Sequence, residues 1–457
     1  MPYFKNKWPA LLLCVSVAGC ASYQPQTLDT HATLPNRIPH IAIDPARMPL
    51  PELAAHRFDP ADGLDMTEVA MLAVVNNADL KIARDDAHVA HAQAFAAGLL
   101  PDPQLSVAGD LSNSAGPGST KAFNLGLNYD IGALLSRSSN RSAARAEAQK
   151  TDLNLLWQEW QVVSQARLLF VKLSQAGKRM ALLQQNRALF ADRYRRTQTA
   201  LDKGLLAIDA VTPNLSALQD VNKQINDLER QTNQNRHDLN ALLGLAPEVA
   251  VPLRGAATLP ALDEAAVNAA LPDLARRRPD LIALEAGYRA QDQRYRGAIL
   301  AQFPALNVGL TRARDSSNVY STGIGITLSL PIFNRNRGNI AIELATRRKL
   351  HDEYQARLNK STSEIHRILD EQRINAHQLA EVERGIADLA LAGRRAEGAL
   401  RAGNLDALAF ANLQSTLLAK EIEQVDLQQA MLEQRVALQT LIGGDVPVQS
   451  TSKNMTR

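Results

Sequence analysis

The segment Phe123-Asn124-Leu125-Gly126-Leu127-Asn128-Tyr129-Asp130-Ile131 alternates apolar and polar residues without a break. Successive side chains of a strand project to opposite faces, so one face of this segment is apolar and the other wet. Just upstream, Leu105, Val107 and Leu111 alternate with Gln104, Ser106, Asp110 and Ser112, and the intervening Ser114-Ala115-Gly116-Pro117-Gly118-Ser119 has the composition of a loop. The same arrangement returns later. Leu306, Val308 and Leu310 are followed by Tyr320, Ile324, Ile326, Leu328 and Leu330, opposite Ser321, Gly323, Gly325, Thr327 and Ser329. Strands of about ten residues cross a bilayer when tilted. Four strands cannot close a membrane barrel, and open edges are too costly in lipid, so the pattern predicts several chains sharing one barrel. On alternation alone, a soluble sheet with one buried face is the other reading.

The two hairpins belong to an internal repeat. Asp79-Leu80 matches Asp280-Leu281, and Pro103 to Val107 matches Pro304 to Val308, both 201 residues apart. Leu125 and Leu127 match Leu328 and Leu330 at an offset of 203. Ala200-Leu201 with Gly204 matches Ala399-Leu400 with Gly403, and Leu239 to Gly244 matches Leu438 to Gly443, at an offset of 199. Such a period is far longer than that of a solenoid, so each copy is a large unit. Between the hairpins, Leu134 to Leu201 and Gly338 to Ala402 contain no proline and almost no glycine. Each would reach about 100 Å as a continuous helix. Returning helices follow Gly204 and Gly403 and carry narrow seams, Leu218, Val221, Ile225 and Leu228 in one, Leu418, Ile422, Val425 and Leu432 in the other. Such seams suit coiled-coil packing around a cylinder. A periplasmic coiled-coil rod is the alternative, but it leaves the strands unexplained.

At the N-terminus, Lys5 and Lys7 precede an apolar run from Trp8 to Val17, the form of a secretory leader over residues 1–19. Small residues Ala18 and Gly19 then precede Cys20, which resembles a lipoprotein cleavage site with Cys20 as the lipidated first residue. The other cysteine, Cys14, leaves with the leader, so no intramolecular disulfide is expected. One lipidated residue gives useful membrane affinity, but durable attachment usually needs a second signal, which is expected elsewhere in the chain. Residues 20–65 carry Pro25, Pro35, Pro39, Pro45, Pro49, Pro51 and Pro60 and read as an extended strap. The first repeat is placed at 66–250, with its hairpin at about 104–131, the second at 251–443 with its hairpin at about 305–330, and a tail at 444–457. Loss of Lys5 and Lys7 reduces the 50 basic side chains to 48, against 47 acidic ones, which gives no footprint for nucleic acid.

Over nearly the whole mature chain the sequence resembles the TolC-like outer-membrane efflux factors. The carriers are Asn76-Asn77-Ala78-Asp79-Leu80, Arg278-Pro279-Asp280-Leu281 with Glu285, Leu330-Pro331-Ile332-Phe333-Asn334 before Gly338, and the paired Leu-x-x-Gly turns at Leu201 to Gly204 and Leu400 to Gly403. The resemblance implies a mostly α fold with a membrane β-barrel: a homotrimer with twelve strands in one outer-membrane barrel and an α-helical tunnel in the periplasm. It implies a periplasmic adaptor docking at the tips (Lys203, Gly204, Leu205, Ala402, Gly403, Asn404) and an inner-membrane efflux transporter supplying energy. Pro331 to Gly338 looks closest to the branch serving heavy-metal and related cation pumps. The gate implied by the family falls at Leu408 and Asn412, where relatives carry an aspartate at the second position.

No phosphate-binding glycine loop, nucleophile elbow or zinc-protease motif occurs, so no enzymatic activity and no cofactor are expected. His88 and His91 beside Asp85 and Asp86 read as exposed helix residues, with no metal site expected, and Arg276 to Arg278 as a solvated helix start. A non-conducting structural envelope lipoprotein stands as the alternative to a duct. Cys20→Ser is expected to abolish labelling by a fatty-acid probe without releasing the protein from the outer-membrane fraction. Absence of label on the wild-type protein would overturn the anchor.

Overall fold

A computed structural model describes residues 22–39, 43–110 and 120–444. Cys20, Leu111 and the segment Ser114 to Ser119 lie outside the described residues. The strap runs extended and exposed to Leu34, then closes on the body through two single turns of 3-10 helix and α1 (Pro51–Ala55). Asp65 opens α2 (Met66–Asn76) with a capping box: its carboxylate accepts from the Thr67 and Glu68 amides at 2.8 Å, while Glu68 accepts from the Asp65 amide at 2.9 Å. The Asn77 side chain caps α3 (Ala78–Ala96), which leads into β1 (Gln104–Asp110) and β2 (Ala122–Asp130).

The Asp130 carboxylate accepts from the Ala133 amide at 2.9 Å and so starts α4 (Ile131–Asp202), 72 residues without proline and about 110 Å long. Ile131, which the alternation assigns to the strand, is therefore the first helical residue. After a tight turn α5 (Ile208–Leu242) runs back along α4. The second repeat follows with α6 (Glu264–Ala270), α7 (Leu274–Arg277), α8 (Pro279–Leu300), β3 (Ala305–Arg314), β4 (Tyr320–Ser329), α9 (Arg337–Arg401) and α10 (Ala407–Leu441). Leu330 lies just beyond β4, because Pro331 has no amide to extend the ladder.

The two hairpins form one antiparallel sheet in the order β1-β2-β3-β4, the first repeat meeting the second where Leu127 faces Leu310 and Tyr129 faces Val308. At the opposite end the long helices turn back at Gly204 (φ +70°) and Gly403 (φ +74°). The Leu205 amide donates to the Ala200 carbonyl and the Asn404 amide to that of Ala399, both at 2.8 Å, which makes the two turns the same left-handed helix stop.

Midway along the helices lies the core. Leu53 and Leu64 of the strap region and Val69 to Val74 of α2 pack on Trp160, Val163 and Phe170 of α4 and on Leu239 and Leu243. A second cluster, Val267, Leu274, Leu281, Ile365, Ile368, Leu369, Leu438 and Ile442, is its counterpart in the other repeat. The strap is fastened there: Trp160 Nε1 donates to the Pro49 carbonyl at 3.2 Å, and buried Arg167 pairs with Glu52 and donates to Gln439 at 3.0 Å. Each returning helix is capped by the partner segment of the repeat. Asn76 and Asn77 donate to the carbonyls of Leu243 and Leu242, and Arg278 donates to that of Leu441.

The arginine run is only partly solvated. Arg276 is exposed, but Arg278 is 2% exposed, bidentate to Asp280 at 2.9 and 2.8 Å, and stacked 4.9 Å from the Trp157 ring. Deleting one member of a buried pair strands the other charge at a cost of about 3–5 kcal/mol, whereas removing both together costs much less. Asp280→Ala should therefore lower the thermal unfolding temperature far more than Arg278→Met with Asp280→Leu, followed by circular dichroism in detergent.

Candidate functional site

The register arranges the strand side chains in rows on two faces. One face carries Leu105, Leu127, Leu310 and Ile324 across the sheet, with Val107 and Leu125 above and Tyr129, Val308 and Ile326 below. The other carries Gln104, Asn128, Gly309 and Gly325, then Ser106, Gly126, Thr311 and Gly323. The apolar face is bare: Ile324 is 76% and Val107 73% exposed. A patch of this extent marks a surface made for an apolar medium or a partner. Among the described residues the outer edges of β1 and β4 pair with no further strand. No helix among them is long and apolar enough to cross a membrane.

Near the turns the four helices of the two hairpins enclose a cleft of about 470 Å³ lined by Leu189, Arg193, Leu206, Leu408 and Phe410. Arg193 lies 5.4 Å over the Phe190 ring without an ion pair among the described residues, and burial pushes its pKa down. Lys203, Gly204, Leu205, Ala402, Gly403 and Asn404 are all exposed at this end. Leu408 and Asn412 sit one turn apart on the same exposed flank of α10, Leu408 at the cleft mouth. The cleft was not legible in the sequence, because it joins residues from both repeats some 200 positions apart.

His88 and His91 are exposed on α3, and His91 turns to Asp152 of α4 at 3.0 Å instead of to Asp85 or Asp86. A different trio, His56, Asp65 and Glu68, is drawn together. Its carboxylates already accept from backbone amides of Asp59, Asp65, Thr67 and Glu68, and Arg254 lies 3.7 Å from Glu68. This cluster is a helix cap, signalled in the sequence by the Asp65-x-x-Glu68 spacing.

A sheet with one bare apolar face, carried on two helices of about 100 Å, has the form of a protein that enters a membrane through strands and reaches away from it on helices. The outer membrane efflux protein family model matches residues 270–444. The cation efflux system protein CusC of Escherichia coli is 24% identical over 396 residues, covering 81% of this chain and 84% of CusC. The CusC crystal structure shares the fold at a TM-score of 0.67 and 19% identity, over 87% of this chain and 97% of that one. The outer-membrane channel OprN does so at 0.69 and 17%, over 92% and 98%. The chain thus has the fold of the TolC-like outer-membrane efflux factors, and its second half matches their family model.

The two faces of the sheet predict an asymmetry. A charge facing lipid costs about 2–4 kcal/mol at the bilayer midplane, whereas one facing water stays hydrated. Leu127→Arg should impair outer-membrane assembly much more than Asn128→Arg, scored by heat-modifiable oligomer on gels. Equal yields would overturn the assignment of the faces.

Proposed function

We propose that the chain is the exit duct of a tripartite efflux pump, conducting passively. Three copies join their sheets into one twelve-stranded barrel, and their helical hairpins align as a tunnel into the periplasm. The sheet carries this reading: with an apolar face and, among the described residues, two unpaired edges, it is stable in lipid only when the β1 edge of one copy pairs with the β4 edge of the next and so completes the ladder. The polar rows, led by Asn128, Asn124 and Ser106, then line the water path.

Cys20 supplies a lipid anchor in addition to the barrel. The exposed turns at Lys203 to Leu205 and Ala402 to Asn404 receive a periplasmic adaptor, which couples the duct to an inner-membrane transporter. The likeness to CusC, together with the Pro331 to Gly338 segment, favours a cation pump as that transporter. The duct itself chooses no cargo.

The gate lies at the tips, where Leu408 and Asn412 of each copy turn toward the axis. Asn412 amides are neutral and can donate and accept at once, so a threefold ring closes through hydrogen bonds without the mutual repulsion of carboxylates. Closure then depends mainly on Leu408 packing. Leu408→Ala with Asn412→Ala should raise single-channel conductance in planar bilayers severalfold and sensitise cells to large antibiotics. Asn412→Asp should make the pore more cation-selective and sensitive to divalent block. Unchanged conductance in the double variant, with trimers intact, would place the gate elsewhere. A wild-type trimer that conducts no ions even when bound to its adaptor would favour the structural lipoprotein instead.

A further inference from the structure

The apolar face of the sheet ends, at the hairpin-turn side, in two arginines. Arg312 stands in the row of Val107, Leu125 and Thr322, and Arg314 in the row of Gly109, Phe123 and Tyr320. Both share the face of Leu306, Val308 and Leu310, while Thr311 and Ala313 take the other. From Leu306 to Arg312 the strand advances about 20 Å, or about 15 Å along the membrane normal at the usual tilt. Because the long helices leave from the opposite end of the sheet, the arginines occupy the boundary facing away from the periplasm.

Their surroundings are built. Nε and Nη2 of Arg314 donate to the Lys121 carbonyl at 3.2 and 2.6 Å, and Nη1 donates to the Tyr320 hydroxyl at 3.4 Å. Its guanidinium lies 5.4 Å from the Phe123 ring centre and 5.9 Å from that of Tyr320, and the two rings meet edge to face. Aromatic faces thus fix the cation in place without neutralising it. Among the described residues no carboxylate does so either. Asp110 belongs to the opposite face, and Asp315 is held in the β3-β4 turn by the Ser317 and Val319 amides at 2.9 Å each. Arg312 is exposed and has no hydrogen-bond or ion-pair partner among the described residues, nor has the exposed Lys121 side chain. Unpaired cations on a face otherwise made for hydrocarbon call for an anion at headgroup depth.

We propose that Arg312 and Arg314, with Lys121 at the rim, bind phosphate groups of outer-leaflet lipid headgroups. The inference rests on the barrel reading, which sets this face toward lipid. The guanidinium fork matches phosphate oxygens, and Arg312 has all of its donors available. A lipid fits better than free phosphate, because the rows of Leu310 and Ile324 directly below take its acyl chains.

Delipidated full-length trimers in nonionic detergent can be titrated with lipid A carrying both phosphates and with its dephosphorylated form, and the retained lipid read by native mass spectrometry. The wild type is expected to hold the phosphorylated form on the order of tenfold more tightly. Arg312→Gln, which disturbs no contact, should remove most of that preference, Arg312→Lys should keep part of it, and Arg230→Gln on α5 should change nothing. Equal retention of the two lipids, an Arg312→Gln trimer that still discriminates, or full displacement by millimolar inorganic phosphate would overturn the proposal. Failure to form trimers would instead sink the barrel on which it rests.

Discussion

Backbone amides and carbonyls in hydrocarbon have no water to fall back on, and the four-stranded sheet meets that constraint only in its interior. Every amide between β1 and β4 can find a neighbour within the chain, but among the described residues the two outer edges have none. The apolar rows from Leu105 to Ile324 forbid the remedy of leaving those edges in water. In the proposed assembly the edges meet between copies, so the membrane part owes its existence to association. The helical part is less dependent, because its ladders are internal and each repeat has its own core.

The two repeats solve one local problem with different chemistry. A returning helix ends beside the start of its own repeat, at Gly244 in the first and Gly443 in the second, where a side chain on either glycine would collide with Asn76 or Arg277. The last carbonyls of α5 are capped by the amides of Asn76 and Asn77, whereas Arg278 reaches the end of α10. An asparagine reaches one or two oxygens and carries no charge. The arginine brings a charge into the interior and therefore requires Asp280 and the face of Trp157, a residue of the other repeat. The second repeat is thereby tied to α4 of the first.

Much of this was legible in the sequence because two periodicities alternate cleanly. Strict alternation from Phe123 to Asp130, and again from Gly323 to Ser329, located the strands, and glycines 199 positions apart located the turns. Boundaries were lost where a cap overrode a pattern, as when Asp130 drew Ile131 into α4. The burial of Arg278 was lost because a run of three arginines looks solvated until Trp157, 121 residues earlier, is known to cover it. Of the candidate site, the tips were readable from local turn chemistry, while the cleft behind them and the arginines on the apolar face needed the register of both repeats.

The long helices also act as a phase-locked ruler. Each residue added to α4 turns everything beyond it by about 100° and advances it about 1.5 Å. A single insertion between the equatorial core and Gly204 would swing the tip to a different side of the cylinder, although the helix itself would tolerate it. Seven residues, two turns and some 10 Å, are about the shortest addition that restores the facing, and eleven, three turns, do so equally well. The same addition would then be needed in the returning helix and in both repeats, or the paired turns would no longer end level. Length in this fold is therefore quantised. Lineages that differ in reach should differ by near-whole numbers of helical turns, such as seven or eleven residues, inserted four times over, while the strap and the turns between strands remain free to change one residue at a time.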